Sequence, residues 1–179
     1  MNFKLEFLIP KYHFSEHHSL SMNGNLGDVF LAVESADLSD SLIAQILMTV
    51  WRSIAQLVLK EPPKRNMSVG DFALLKYSPP NFIARGLIGG KNKPRDIHDV
   101  TAESFMAFNI SGSIKLVWAF WLEDCSNGSV CVHTETRVYC TDNKTKLYFS
   151  FYWYLIRPWS GLIRRRMLVA IKRGVERQL

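Results

Sequence analysis

One apolar stripe runs through the last fifth of this chain. Phe149, Tyr152, Trp153, Ile156, Ser160, Ile163, Met167, Ala170, Ile171 and Gly174 recur at spacings of three and four. Wound at about 100° per residue, they fall in a band about 100° wide, which predicts a helix over residues 144–179. The band keeps its phase through Pro158 and Gly161, so one long, bent helix is expected rather than two. Proline removes a backbone donor and crowds the carbonyl four residues back, here that of Tyr154, which bends a helix without always ending it. A helix of this length must bury its stripe on a large partner surface. A strand-like run over residues 130–140 leads straight into it.

That surface reads as an antiparallel sheet. Residues 114–124 and 129–140 alternate in polarity and flank the turn signal Ser126-Asn127-Gly128. A two-residue Asn127-Gly128 turn would set Phe120 against Glu135 and mix the faces. A three-residue turn with Gly128 left-handed instead aligns Leu116 with Val138, Trp118 with Thr136, Phe120 with Thr134, and Leu122 with Val132. Lys115, Trp121, His133, Glu135 and Arg137 then share the other face. This register segregates the two faces and is the expected one. Cys125 and Cys131 are only a diagonal pair in it, a poor disulfide geometry.

Ahead of the hairpin, residues 1–11 read as an irregular lead-in and 12–22 as a strand with Tyr12, Phe14, Leu20 and Met22 on one face. After Asn23-Gly24-Asn25, Asn25 caps a short helix over 26–35. A second helix over 41–59, capped by Asp37 or Ser39, ends at Glu61-Pro62-Pro63. Residues 69–77 and 81–89 form two strands around Ser78-Pro79-Pro80, 90–100 a loop, and 101–108 one or two helical turns. With 179 residues and no repeat or linker, the chain suits a single domain, residues 1–179. The expected class is α+β: a curved antiparallel sheet wrapped around the long C-terminal helix, with two helices after the first strand.

Composition narrows the function classes. A hydrophobic fraction of 47% and a mean hydropathy of −0.02 are those of a soluble globular protein. Residues 41–59 are long enough to cross a bilayer, but Ser41, Gln45, Thr49, Arg52, Gln56 and Lys60 draw a continuous polar edge along them. A helix docked on a core is expected, with no stable membrane insertion. No signal peptide is visible, and the three cysteines, Cys125, Cys131 and Cys140, lack metal-site spacing. Reduced thiols and a cytoplasmic setting are expected. From Arg157 onward seven basic residues face one acid, Glu176, which accounts for the whole net charge of +6. The plain reading is a solvated helix face. On that outer side Leu147, Phe151, Tyr154, Pro158 and Leu162 form a second apolar arc. It implies a homodimer contact or a cover made by residues 1–11.

Among candidate sites, His13 and His17 share a strand face but lie about 13 Å apart, and His18 points the other way. No metal site and no cofactor are expected. His18, inward with Glu16, is a core histidine or a polar pocket group. Thr134 and Thr136 on the inner face are β-branched strand residues or anchors for a ligand head group. Glu135 and Arg137, two apart on the outer face, read as a surface ion pair. No activated nucleophile and no phosphate-binding glycine loop is present.

Two stretches resemble a known superfamily, the START-related, birch-pollen-allergen-like helix-grip proteins (SRPBCC, polyketide-cyclase-like). Phe14-Ser15-Glu16-His17-His18-Ser19 followed by Gly27-Asp28-Val29-Phe30 is similar to its first strand and helix. His133-Thr134-Glu135-Thr136-Arg137-Val138 and then Tyr152-Trp153-Tyr154-Leu155-Ile156-Arg157-Pro158 with Ser160-Gly161-Leu162-Ile163-Arg164-Arg165 resemble the last strand and terminal helix of an uncharacterised bacterial branch. The resemblance implies a helix-grip fold with a hydrophobic cavity between sheet and helix. It implies no single activity, because carriers, receptors and cyclases share that fold. The expected function is therefore to bind a hydrophobic or amphipathic small molecule, through Leu116, Trp118, Phe120, Thr134, Thr136, Val138, His18, Tyr152, Trp153 and Ile156. A cyclase- or dehydratase-like enzyme using Glu16 with His18 is the alternative. Membrane-surface or nucleic-acid binding through Arg164, Arg165, Arg166, Lys172 and Arg173 ranks third, for want of aromatics interleaved with that basic face. No nucleic-acid partner is expected.

Overall fold

The computed structural model describes residues 5–35, 72–90, 94, 99–125 and 128–177, with the backbone alone at Trp159 and Ile163. The expected helix over 41–59 lies outside the described residues, as do its caps. In chain order the elements are β1 (Phe14–Asn23), α1 (Leu26–Ser35), β2 (Ala73–Ser78), β3 (Phe82–Gly90), α2 (Ala102–Ala107), β4 (Ser113–Asp124), β5 (Ser129–Cys140) and α3 (Asn143–Glu176). All five strands join one curved antiparallel sheet in the order β1-β5-β4-β3-β2. The fold is α+β, with α3 laid against β1 and β5 and its C-terminal half against α1.

The β4–β5 register is the three-residue-turn one. Leu116 pairs Val138, Trp118 pairs Thr136, Phe120 pairs Thr134 and Leu122 pairs Val132. Gly128 sits at φ +70°, a left-handed conformation that costs glycine little because it has no Cβ. The hairpin also carries a correction. Cys125 and Cys131 are joined by a disulfide, with Cα atoms 5.8 Å apart. The Cys125 N–H still donates to the Ser129 carbonyl at 2.8 Å, so the bridge joins the diagonal pair without a break in the ladder. Reduced thiols were expected at all three cysteines, and only Cys140 is free. Stable disulfides belong to oxidising surroundings, so the cysteines no longer argue for a cytoplasmic setting. No helix among the described residues is long and apolar enough to cross a membrane.

Helix α3 is continuous through Pro158, as the unbroken phase of its stripe required. Asp142 caps it, its Oδ1 accepting the Thr145 N–H at 2.8 Å. The buried side carries Trp153, Ile156, Met167, Leu168, Ile171 and Val175. Ala170 and Gly174, expected on the stripe, are exposed instead. The larger Leu168 and Val175 bury more apolar surface, so the C-terminal half turns toward them.

Two apolar layers flank the sheet. The inner one joins Met22, Phe30, Ile83, Leu122 and Val132 to α1 and the C-terminal half of α3. On the outer face, Leu5, Leu8 and Ile9 pack with Leu75, Phe82, Phe105 and Val117. The described part of the lead-in thus covers the back of the sheet, not the outer arc of α3 for which it was a candidate. It also changes Glu135–Arg137, read from sequence as a surface pair. Arg137 is buried, its Nε donates to Glu135 Oε1 at 2.7 Å, and its Nη2 donates to Glu6 Oε1 at 3.2 Å. Burial opposes the Arg137 charge, but Glu135 and Glu6 outweigh it and raise its pKa.

Candidate functional site

Strand alternation sends Phe14, Glu16, His18, Leu20 and Met22 of β1 toward α3. Register then fixes their neighbours. Glu16 stands beside Thr136, and Thr136 beside Trp118; His18 stands beside Thr134, and Thr134 beside Phe120. Two cross-strand rows result, Glu16–Thr136–Trp118 and His18–Thr134–Phe120. Above these rows lies the cluster of Phe14, Val138, Cys140 and Trp153, with Leu116 and Phe149 against it. Below them the main inner core begins. A polar band therefore divides two apolar clusters on the face that meets the terminal helix.

The band is closely knit. His18 Nε2 lies 3.0 Å from Glu16 Oε1, and the Glu16 side chain is only 8% exposed. Trp118 Nε1 donates to Thr134 Oγ1 at 2.9 Å. From α3, Arg164 Nη1 donates to the Glu16 carbonyl at 3.4 Å. Burial lowers the Arg164 pKa, while the charge of Glu16 holds it up. Gly161 lies directly over the pair: a Cβ there would stand 2.7 Å from Glu16 Oε1 and 3.4 Å from His18 Nε2. Tyr152 adds a phenol whose pKa burial pushes well above its ordinary value, so it is a neutral hydroxyl.

Two buried acceptors in this band, Glu16 Oε2 and Thr136 Oγ1, have no hydrogen-bond partner among the described residues. Thr136 is 2% exposed. Leaving such groups unpaired costs about 1–3 kcal/mol each, more for a carboxylate. Folding alone gives no reason to place two of them side by side.

The ten residues expected to line a site fall on these two facing surfaces, though not as one group. Leu116, Val138 and Trp153 join the upper apolar cluster. Thr134, Thr136, Trp118 and His18 form the band itself. Ile156 and Trp153 are buried on the sheet-facing side of α3, and Tyr152 is half-buried beside them. Phe120 leans the other way, into the core with α1, although its ring still lies 5.1 Å from that of Trp118. Glu16, Arg164 and Gly161 were not among the ten. Periodicity held the signal for Arg164, which follows Ser160 by four and precedes Met167 by three, on the stripe rather than opposite it. Nothing in the sequence marks Gly161 as the residue above Glu16.

The other described histidines lie elsewhere. His17 and His133 stack on the outer sheet face with ring centroids 5.4 Å apart, and His133 stacks on Trp121 at 5.0 Å. His13 stacks on Tyr139, and its Nδ1 accepts the Cys140 N–H at 3.1 Å. Among the described residues no three histidine, cysteine or carboxylate side chains gather as a metal site would need.

No family model matches this chain, and no curated protein matches it. Among solved structures, a hypothetical protein of Helicobacter pylori is similar over 98% of this chain and 95% of its own, at 7% identity and a TM-score of 0.41. A likeness at that level supports no inference about this chain.

Proposed function

We propose that the protein binds a small, largely apolar molecule between α3 and the inner face of the sheet, and that the molecule carries a hydroxyl or N–H group that meets Glu16 and Thr136. Kinship with the helix-grip proteins is part of the proposal, supported by element order and by the helix lying across an antiparallel sheet. The observation that carries it is the pair of unpartnered acceptors, Glu16 Oε2 and Thr136 Oγ1, in a band between apolar clusters. A carboxylate oxygen accepts, so the group that meets Glu16 Oε2 is a donor. Thr136 can both donate and accept, which suits a hydroxyl. A carboxylate or phosphate would meet the charge of Glu16, so a neutral head group fits better. Apolar burial supplies the affinity and the polar pair supplies the orientation.

Mass spectrometry of the gently purified protein tests this. A retained neutral molecule with an apolar body and a hydroxyl or amide group is the expected result, with the Glu16→Gln and Thr136→Val proteins recovered folded and depleted of it. Equal retention in all three proteins, or a bound acid, would refute the reading.

The 3.0 Å contact between Glu16 and His18 favours one second reading, an acid–base pair that moves a proton on the bound molecule in a dry site. If so, Glu16→Gln abolishes conversion of the retained molecule while only weakening its binding. If the molecule is returned unchanged by the native protein, binding alone stands.

A further inference from the structure

Opposite its buried side, α3 presents a face that divides along its length. Leu147, Phe151, Tyr154, Leu155, Pro158 and Leu162 occupy the first part, following one another at spacings of three and four or filling the same arc. They are open to solvent: Phe151 is 70% exposed, Tyr154 69%, Leu147 58% and Leu155 54%. The same face then continues through the exposed Arg165, Arg166 and Arg173, with Lys144 exposed at its other end. Between Asn143 and Val175 there is no acidic residue. The exposed aromatics are thus not interleaved with the basic residues but lie next to them along the same face.

We infer that this face docks on an anionic lipid bilayer. The helix would lie flat, with Phe151, Tyr154 and Leu155 entering the head-group region and the arginines resting on lipid phosphates. An apolar patch of this kind marks a contact surface, and charge complementarity selects the partner. A second copy is a poor fit. An antiparallel pair of these helices centred on the apolar part brings Lys144 toward Arg165 and Arg166 of the other chain, and a parallel pair stacks arginine on arginine; the one acid of the helix, Glu176, is already engaged by Lys172 of its own chain at 3.7 Å. A nucleic acid would satisfy the arginines but would leave Leu147, Leu155 and Leu162 without a role, since bases stack on aromatic rings. A bilayer surface meets both halves: it is negatively charged outside and apolar a few ångströms in. A helix of 34 residues would span about 50 Å of that surface without crossing it.

Sedimentation of the full chain with phosphatidylcholine vesicles, made with and without phosphatidylserine, tests the inference. Binding to the phosphatidylserine vesicles only, released by salt, is the expected result. Phe151→Ser with Leu155→Ser, and separately Arg165→Ser with Arg166→Ser, should each weaken that binding about tenfold or more. All four side chains are exposed, so circular dichroism should show the fold retained in both variants. No sedimentation, equal binding to both kinds of vesicle, or variants that bind like the native chain would overturn it. So would a dimer in solution that Phe151→Ser converts to monomer, or binding to a single-stranded RNA oligonucleotide with none to vesicles.

Discussion

Gly161 of the terminal helix faces Glu16 of the first strand so closely that a Cβ at Gly161 would lie 2.7 Å from the carboxylate. Within a helix, alanine is favoured over glycine by about 0.5–1 kcal/mol. Here that gain is opposed, because the Glu16 side chain is buried and held by His18, and its displacement breaks the 3.0 Å contact. Gly161→Ala is expected to lower the thermal midpoint rather than raise it, and to reduce retention of any bound molecule. A rise in the midpoint, followed by circular dichroism, would show that Glu16 yields freely and that the contact has little weight.

Two neighbouring threonines on β5 should respond in opposite directions to the same substitution. The Thr134 hydroxyl accepts the Trp118 indole N–H, so Thr134→Val strands a donor and should cost about 1–3 kcal/mol. The Thr136 hydroxyl has no partner among the described residues, so Thr136→Val removes an unpaired polar atom and should stabilise the ligand-free protein by about 1 kcal/mol. Urea unfolding of both variants measures the difference. Equal losses would mean that Thr136 is satisfied in solution.

Stability should fall as pH drops below about 6.5. His13 and His133 both have pKa values lowered from 6.5, chiefly by burial; Lys146 adds to this at His13, while at His133 Glu123 opposes the shift and His17 adds to it. The folded state thus binds protons less readily than the unfolded chain. Their contribution is complete above 6.5 and is lost as pH falls from there through the folded-state values. Protonation would also take away the Nδ1 lone pair with which His13 holds the Cys140 N–H. Urea midpoints measured from about pH 7 to pH 5 should decline, and His133→Gln should flatten the decline. An unchanged slope in that variant would remove His133 from the account.

Reducing the Cys125–Cys131 bridge should destabilise the fold only modestly. The bond closes a short loop, the two cysteines standing at a sequence separation of 6, so the chain-entropy model gives it about 2 kcal/mol. The doubly substituted Cys125→Ser, Cys131→Ser protein should fold, keep the β4–β5 register and unfold at lower urea. Failure to fold would mean that the bridge, rather than the face segregation of the hairpin, sets the register.

Face segregation and periodicity are local properties, and they carried far. The alternation of Leu116, Trp118, Phe120 and Leu122 against Val132, Thr134, Thr136 and Val138 allowed only one register that kept charge off the inner face. The stripe through Pro158 required one helix. The arc at Phe151 and Tyr154 was visible because its apolar residues recur at spacings of three and four on the side of the helix opposite the stripe. Three-dimensional neighbours decided the rest. Arg137 became a buried ion-pair partner because Glu6, 131 residues away, folds over it. Cys125 reached Cys131 because the diagonal pair stands only 5.8 Å apart at Cα in this hairpin. Glu16, His18 and Gly161 became one group because α3 runs along β1 and brings Gly161 over that pair. Sequence spacing governs which side chains share a face, whereas the approach of two faces depends on how whole elements pack, and no short run of residues encodes that distance.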